Sequence, residues 1–176
     1  MVEIPTLETD RLRLRPYVLA DFDDYARMWS DPAVFRFVGG VPFTREQSWT
    51  RFLRQVGLWH FMGFGFWALE HKASRAFAGE CGFHEMRRSI NPSIEGDMEA
   101  GWGLAPSMQG QGLAEEAMRA AIAWAGQYGT GERLTAIIDL GNAASRRVAA
   151  KLGFTERGPA VYNDKPLTIF ERPRRP

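Results

Sequence analysis

The periodicity of residues 97–126 changes once, and this change constrains the fold more than any other feature of the chain. Before Pro106 the pattern is typical of a β-strand, and from Leu113 onward apolar residues recur at helical spacing. A polar loop with Gly110 and Gly112 lies between the two. The sequence therefore predicts a strand, a glycine turn and a helix in succession, which is typical of an α/β domain.

A glycine turn that leads into a helix is a typical binding site for an anion. The first N–H groups of a helix have no partner within it, and the helix dipole adds partial positive charge at that end. Glycine lets the backbone approach a bulky anion closely. We therefore expect residues 109–114 to bind a phosphate or pyrophosphate. The turn lacks the Lys-Ser/Thr of a P-loop and the full Gly-x-Gly-x-x-Gly of a dinucleotide site, which excludes both.

The same turn belongs to a longer pattern. Residues 109–114, Gln-Gly-Gln-Gly-Leu-Ala, resemble the Gln/Arg-x-x-Gly-x-Gly/Ala signature of the GNAT superfamily of acyl-CoA N-acyltransferases. A strand-like segment at 134–139 is followed by Asn142-x-x-Ser145 and by Leu-Gly-Phe at 152–154, in the order of that family. The order and spacing of these segments are more specific than the turn alone.

The resemblance implies the overall architecture. It predicts one GNAT-like α/β (α+β) domain over residues 1–176, with a twisted, mixed and mostly antiparallel sheet flanked by helices. The central strands, 99–104 and 134–139, should run parallel and splay apart at the cofactor site. Residues 9–16 resemble the opening strand of the branch that contains the ribosomal-protein N-terminal acetyltransferases.

The resemblance also implies the cofactor and its contacts. The cosubstrate should be acetyl-CoA, without a metal, with its pantetheine arm between the splayed strands and its pyrophosphate on the glycine turn. A backbone N–H near Leu104 would polarise the thioester carbonyl, and the Asn142 side chain would bind the pantetheine. The expected cofactor-binding residues are Trp102, Gly103, Leu104, Gln109, Gly110, Gln111, Gly112, Leu113, Ala114, Asn142 and Ser145.

An acceptor ammonium must lose a proton before it can attack, so the reaction needs a base. The resemblance assigns this role to Glu99, for which a salt-bridged or exposed carboxylate is the alternative. Glu80, His84 and Glu85 are substitutes that we expect to be structural.

The departing thiolate needs a hydrogen-bond donor or a proton. Many relatives carry a tyrosine seven residues after the asparagine, where this chain has Ala149. Ser145 matches the serine of the ribosomal-protein branch and is the expected substitute. Its alternative role is to satisfy backbone groups in the first turn of a helix.

The acceptor pocket is expected near the first two helices. Apolar spacing predicts these helices at 22–29 and, after a capping box at Thr44, at about 45–58. Their aromatic residues should lie in one region: Trp29, Phe35, Phe37, Trp49, Phe52, Trp59 and Phe61. In this superfamily that region lines the acceptor pocket. The expected substrate-binding residues are therefore Trp29, Phe35, Trp59 and His84. The alternative for the aromatic residues is a place in the hydrophobic core.

Other segments carry simpler expectations. Residues 65–70 and 77–85 should pair as a hairpin, residues 154–157 and 167–171 should be the last two strands, and the tail at 172–176 should be frayed. Arg87 and Arg88 are expected to form a solvated rim. Glu115 and Glu116 are expected to lie in the first turn of a helix, where negative charge interacts favourably with the helix dipole. The sequence does not decide whether Tyr162 reaches the site.

Composition narrows the function classes. A net charge of +1 gives no argument for nucleic acid or membrane binding, and the three histidines have no metal-ligand spacing. One cysteine, Cys81, and no signal sequence favour the cytoplasm.

Three functions stay open. The first is an acetyl-CoA-dependent N-acetyltransferase, monomeric or homodimeric, that acts directly in a ternary complex on a protein N-terminus or a small amine. The second is a catalytically silent acyl-CoA-binding module, which Ala149 favours. The third is a phosphate- or nucleotide-binding protein unrelated to CoA.

Overall fold

An eight-stranded sheet organises the molecule, with the strand order β1-β2-β3-β4-β5-β6-β8-β7. The computed structural model describes residues 3–175. The strands are β1 (Leu7–Glu8), β2 (Leu12–Arg15), β3 (Phe66–His71), β4 (Phe77–His84), β5 (Met98–Leu104), β6 (Arg133–Asp139), β7 (Thr155–Tyr162) and β8 (Lys165–Pro173). The predicted hairpin is the pair β3 and β4, which lies in the middle of the sheet.

Only one neighbouring pair in this sheet is parallel. β5 and β6 run in the same direction, whereas every other paired strand runs antiparallel to its neighbour. The ladder between them contains two residue pairs, Met98 with Leu134 and Glu99 with Thr135, and β5 continues to Leu104 without β6 beside it. The predicted mixed, mostly antiparallel sheet with splayed central strands is therefore confirmed.

Within residues 3–175, five α-helices accompany the sheet, and their termini follow local sequence signals. They are α1 (Phe22–Trp29), α2 (Pro32–Phe35), α3 (Arg45–Met62), α4 (Leu113–Tyr128) and α5 (Ala143–Lys151). The predicted capping box begins α3, which ends at Met62, four residues beyond the predicted limit, with Gly63 as a left-handed C-cap. The short α2 was not predicted; Asp31 caps it and Pro32 occupies its first turn. None of the described helices is long and apolar enough to cross a membrane.

The aromatic residues of the first helices divide into separate environments, contrary to the prediction of one region. Trp29 and Phe52 belong to a cluster between α1, α3 and the sheet, whereas Trp59 belongs to the main core, with α4 and the central strands. Trp49 is 38% exposed and Phe61 is 83% exposed. Helical spacing alone did not distinguish these faces because aromatic residues occur on all sides of α3.

The C-terminal segment is more ordered than predicted. β7 and β8 extend well beyond residues 154–157 and 167–171 and pair along seven positions. The backbone N–H of Arg174 donates to the Glu132 carbonyl, and its guanidinium donates to the carbonyls of Ala125 and Gly126 at the end of α4. The prediction of a frayed tail is thus wrong for residues 172–174. The tail is held in place because the Arg174 side chain donates to carbonyls at the C-terminal end of α4.

Replacement of Thr44 by alanine is expected to lower the free energy of unfolding by about 1 kcal/mol. The Thr44 hydroxyl accepts from the Gln47 N–H at 3.2 Å, and the Gln47 side chain accepts from the Thr44 N–H at 2.9 Å. Urea unfolding measures the change. Thr50→Ala on the same helix is the control, because the Thr50 hydroxyl bonds only to the Glu46 carbonyl and alanine favours the helix. Equal stability of the two variants would contradict the capping role.

Candidate active site

The gap between β5 and β6 exposes one backbone edge of β5. The N–H of Ala105 donates to the Ala78 carbonyl on β4 at 3.0 Å. Because the direction of backbone groups alternates along a strand, the N–H groups of Leu104 and Trp102 point to the opposite side, toward the gap. β5 therefore offers hydrogen-bonding backbone to a molecule that enters between the strands.

A cavity of about 620 Å³ begins in this gap and continues toward the helices. On the gap side its wall contains residues 100–102 of β5 and residues 136–139 of β6. On the other side it is lined by aromatic and charged side chains of α1, α3 and the strands β3 to β5, chiefly Trp29, Arg51, Arg54, Phe66, Glu80, His84 and Glu99. The cavity thus has a backbone-rich end and a charged end.

The glycine turn follows β5 directly and begins α4. Gly112 is the N-cap residue of this helix, with φ of 79°, and no side chain caps the helix N-terminus. Gly110 is also left-handed, with φ of 74°. A Cβ on Gly110 would meet no atom within 4 Å, and one on Gly112 would lie 3.7 Å from the Arg11 guanidinium. The turn therefore needs glycine for its conformation and leaves open space before the first N–H groups of α4.

Hydrogen bonds within the turn modify the predicted anion site. The Gln109 N–H donates to the Pro106 carbonyl and the Gln109 side chain donates to the Leu104 carbonyl. Gln111 donates from its side chain to the Ser107 carbonyl. Gln109 therefore braces the turn instead of presenting its N–H to a ligand, and the remaining candidates for that role are residues 110–114.

Two glutamates in the first turn of α4 would repel an anion, but both are engaged by cations. The Glu116 carboxylate accepts from the Thr9 hydroxyl at 2.6 Å and from the Arg11 side chain at 2.7 Å. Burial raises the pKa of Glu116, but these hydrogen bonds lower it overall. Glu115 is paired with Arg119 and Lys151, and the hydrogen bonds from both lower its pKa. The negative charges of Glu115 and Glu116 are therefore neutralised by neighbouring cations and do not prevent an anion from binding at the turn.

Asn142 and Ser145 lie together on the cavity wall at the start of α5. Asn142 is the N-cap residue, and its side-chain oxygen accepts from the Ser145 N–H at 3.0 Å. This leaves the Asn142 amide group as a donor. The Ser145 hydroxyl makes no hydrogen bond with any of residues 3–175, so the predicted alternative of a backbone-satisfying serine gains no support. Ala149 is buried and does not line the cavity.

Glu99, His84 and Arg88 form a hydrogen-bonded group on the cavity wall, in which Arg88 forms an ion pair with Glu99. His84 and Glu99 are opposite each other on β4 and β5, and the His84 Nε2 lies 3.0 Å from the Glu99 Oε1. The Arg88 guanidinium donates to both Glu99 oxygens, at 2.6 and 3.0 Å. Arg88 was predicted to be a solvated rim residue, and this prediction is wrong; Arg87, with 82% of its side chain exposed, does lie on the rim.

The ion pairs change what Glu99 can do. Burial raises its pKa, but the contacts with His84 and Arg88 outweigh burial and lower the pKa to about 2. A carboxylate with so low a pKa is a weak base. The geometry therefore favours the salt-bridged alternative over a free Glu99 base. The His84 Nδ1 makes no hydrogen bond within the described part of the chain, which leaves that nitrogen available on the cavity wall.

Of the four predicted substrate-binding residues, the structure places two on the cavity wall. Trp29 and His84 line it, whereas Phe35 does not; Phe37, two residues later, does. Trp59 is 2% exposed, donates from Nε1 to the Phe66 carbonyl and packs edge-on against Trp67 and Trp124. The prediction that Trp59 lines the acceptor pocket is therefore wrong, and Trp59 is a core residue. Tyr162, undecided from the sequence, lines the cavity beneath the Arg88 guanidinium.

A buried polar network around Glu80 was missed by sequence reasoning. The Glu80 carboxylate accepts from Tyr17, from Arg51 at 3.1 Å and from Gln55 at 3.0 Å. Arg51 also donates to the Tyr25 hydroxyl and stacks over the Trp29 ring, 4.0 Å from its centroid. The available signal was the recurrence of Ser48, Arg51 and Gln55 at helical spacing on the inner face of α3.

Residues 3–175 contain no cluster of metal-binding side chains. Cys81 is fully buried in the core, and burial raises the pKa of its thiol well above the ordinary value. A protonated, inaccessible thiol is a poor nucleophile, so Cys81 is a structural core residue.

Comparison with known proteins places this geometry in context. A family model described as the acetyltransferase (GNAT) domain matches residues 11–155. The chain is 32% identical to YkkB of Bacillus subtilis (strain 168), with 94% of each protein covered. It is 27% identical to the N-acetyltransferase p20 of Bacillus licheniformis, over 87% of this chain and 84% of that protein.

Solved structures share the fold over almost the whole chain. An acetyltransferase from Agrobacterium tumefaciens str. C58 is 29% identical, with a TM-score of 0.84, and the match covers 97% of this chain and 95% of that one. The ribosomal L7/L12 α-N-protein acetyltransferase RimL, solved in complex with coenzyme A, is 17% identical with a TM-score of 0.77, covering 96% of this chain and 98% of that one. At this lower identity the likeness shows the fold.

Proposed function

The chain belongs to the GNAT family of acetyltransferases, and from this premise we propose that it transfers an acetyl group from acetyl-CoA to a primary amine, by direct attack in a ternary complex. The acceptor is a protein N-terminal α-amine or a small-molecule amine. The observation that carries the proposal is the cavity that joins the β5–β6 gap to the His84–Glu99 pair.

The residues at the gap fit the pantetheine arm of CoA. The N–H groups of Trp102 and Leu104 face the gap, and the Asn142 amide stands on the opposite wall with its donor free. A pantetheine arm contains two amides, which such donors bind. CoA bound to RimL in the same fold supports this placement. We assign Trp102, Gly103, Leu104 and Asn142 to this arm.

The turn before α4 fits the pyrophosphate. Its space is open, its helix N-terminus is uncapped, and its two glutamates are neutralised by Arg11, Arg119 and Lys151. A helix N-terminus of this kind binds anions through its backbone donors. Gly110, Gln111, Gly112, Leu113 and Ala114 are therefore the proposed cradle, and Gln109 holds its shape.

His84 is the proposed base. When bound, acetyl-CoA supplies a thioester carbonyl for the amine to attack. An imidazole accepts protons near neutral pH, and the His84 Nε2 bond to Glu99 orients the ring with Nδ1 free. Glu99 stabilises the imidazolium that forms after proton transfer, and Arg88 holds Glu99 in place. The Leu104 N–H is a donor for the carbonyl oxygen.

Ser145→Ala is expected to lower kcat by roughly threefold to tenfold while leaving the Kd for CoA nearly unchanged. The Ser145 hydroxyl is the proposed donor to the departing thiolate, which is a tolerable leaving group near neutral pH even without help. Steady-state kinetics and calorimetric titration with CoA measure the two quantities. Ala144→Ser, on the exposed neighbouring position, is the control. An unchanged kcat would remove Ser145 from the mechanism.

Release of free CoA from acetyl-CoA in the presence of a panel of primary amines tests the function. Amine-dependent release, with the N-acetylated product identified by mass spectrometry, is the expected result. Binding of acetyl-CoA without release for any amine would favour the silent acyl-CoA-binding module. Tighter binding of ATP or NAD than of CoA would contradict both the acetyltransferase and the acyl-CoA-binding module.

A further inference from the structure

Three arginines face the charged end of the cavity, and one of them differs from the others. Arg51 is paired with Glu80 and Arg88 with Glu99. Arg54, one helical turn after Arg51 on α3, also lines the cavity but forms no salt bridge with any of residues 3–175. Its Nε is buried and has no hydrogen-bond partner. This guanidinium therefore lacks the counter-charge that its two neighbours have.

A second donor on the same wall is also unsatisfied. The indole Nε1 of Trp29 is buried without a partner, and Trp29 lies against Arg51 on the cavity wall. Buried polar groups in proteins are nearly always hydrogen-bonded, and an unpaired one costs free energy. Two orphan donors, one of them cationic, on one cavity wall indicate a ligand that brings hydrogen-bond acceptors.

Arg54 has no ion-pair partner of its own within residues 3–175. The Glu80 carboxylate on β4, which also lines the cavity, is engaged by other side chains and accepts from Tyr17, Arg51 and Gln55. Burial and the neighbouring Arg51 guanidinium lower the pKa of Arg54. The pantetheine and pyrophosphate sites are at the gap and at the start of α4, so the group that meets Arg54 belongs to the acceptor.

We propose that the acceptor amine carries an anionic group, a carboxylate or a phosphate, which Arg54 binds with help from Trp29. This inference rests on the proposed acetyl transfer and specifies its substrate class. A guanidinium binds either anion through paired N–H donors. Arg54 also disfavours an acceptor with a second positive charge, such as a polyamine, because its second ammonium would lie beside a cation that has no counter-charge.

The test uses amines that differ only in the anion. L-Phenylalanine is compared with phenethylamine, and phosphoethanolamine with ethanolamine; spermidine represents a polycation. For the wild-type protein, kcat/KM should be roughly 10- to 100-fold higher for the anionic member of at least one pair, as expected for a charged hydrogen bond. The pair with the larger ratio distinguishes carboxylate from phosphate. Arg54→Met should abolish the preference by raising KM for the anionic amine alone, and Arg54→Lys should restore part of it.

The controls separate this inference from the proposed function. Arg45→Met removes an exposed arginine at the first position of α3 and should keep the preference. Thermal unfolding checks that each variant is folded, and calorimetric titration of the same pairs into the CoA-saturated protein measures the preference without turnover. Equal or stronger use of the neutral amines or spermidine by the wild type, or an equal loss for both members in Arg54→Met, would overturn the anion site. Absence of acetyl transfer to every amine would overturn the function, while the titrations would still test the anion site.

Discussion

Replacement of His84 by alanine is expected to lower kcat by about 10²- to 10⁴-fold, the range that general acid–base catalysis typically contributes. The reason is that the acceptor ammonium has no lone pair until a base takes its proton. Of the two titratable partners on this wall, Glu99 has its pKa lowered to about 2 and is a weak base, which leaves the imidazole. Affinity for CoA should change little, because His84 lies on β4, away from the β5–β6 gap.

Steady-state kinetics and calorimetric titration with CoA measure these effects. His60→Ala, at an exposed histidine of α3 outside the cavity, is the matched control and should behave as the wild type. Glu99→Gln should lower kcat as well, because the imidazole loses its orienting carboxylate. A His84→Ala enzyme with wild-type kcat would show that the proton leaves by another route.

The parts of the fold that the sequence predicted are those that local signals determine. The capping box at Thr44 and Gln47 and the glycine turn at Gly112 are set by residues a few positions apart. The parting of β5 from β6 is not local, and it was predicted because the pattern from residue 109 to residue 154 resembles one family. Periodicity alone would have given no more than an α/β protein.

The charged end of the cavity could not be predicted because its partners are distant in the sequence. Arg51 and Glu80 are 29 residues apart, and Tyr17 and Glu80 are 63 residues apart. An arginine that is followed by a loop, such as Arg88, has the same local pattern whether it is solvated or bound to Glu99. The choice between a free and a salt-bridged Glu99 was open from the sequence for the same reason, since the pairing of Glu99 with His84 depends on the register of β4 against β5.

The error at Trp59 has a different origin. α3 carries large aromatic residues on its inner, lateral and exposed faces, so the helical period does not identify the face that borders the cavity. The inner face divides further: Arg51 and Arg54 reach the cavity, whereas Trp59, near the end of the helix, packs against Trp124 of α4. Only the packing of α3 against two different layers resolves this division.

Replacement of Gly112 by tryptophan is expected to weaken CoA binding by at least about 100-fold, because charge-assisted hydrogen bonds contribute roughly 1.5–3 kcal/mol each and more than one would be lost. The indole would occupy the open space before the first N–H groups of α4, where the proposed pyrophosphate lies. The backbone would also be strained, since Gly112 has φ of 79° and ψ of 4°.

Gly63→Trp separates these two effects. Gly63 has nearly the same conformation, with φ of 72° and ψ of 5°, has no atom within 4 Å of an added Cβ, and ends α3 outside the cavity. Both variants should therefore lose similar stability in a thermal unfolding experiment, while only Gly112→Trp should lose CoA binding in a calorimetric titration. Equal affinity of the two variants for CoA would mean that the cofactor phosphates bind elsewhere. Because His84 does not contact the turn, Gly112→Trp should also regain part of its turnover at high acetyl-CoA concentration, which His84→Ala should not.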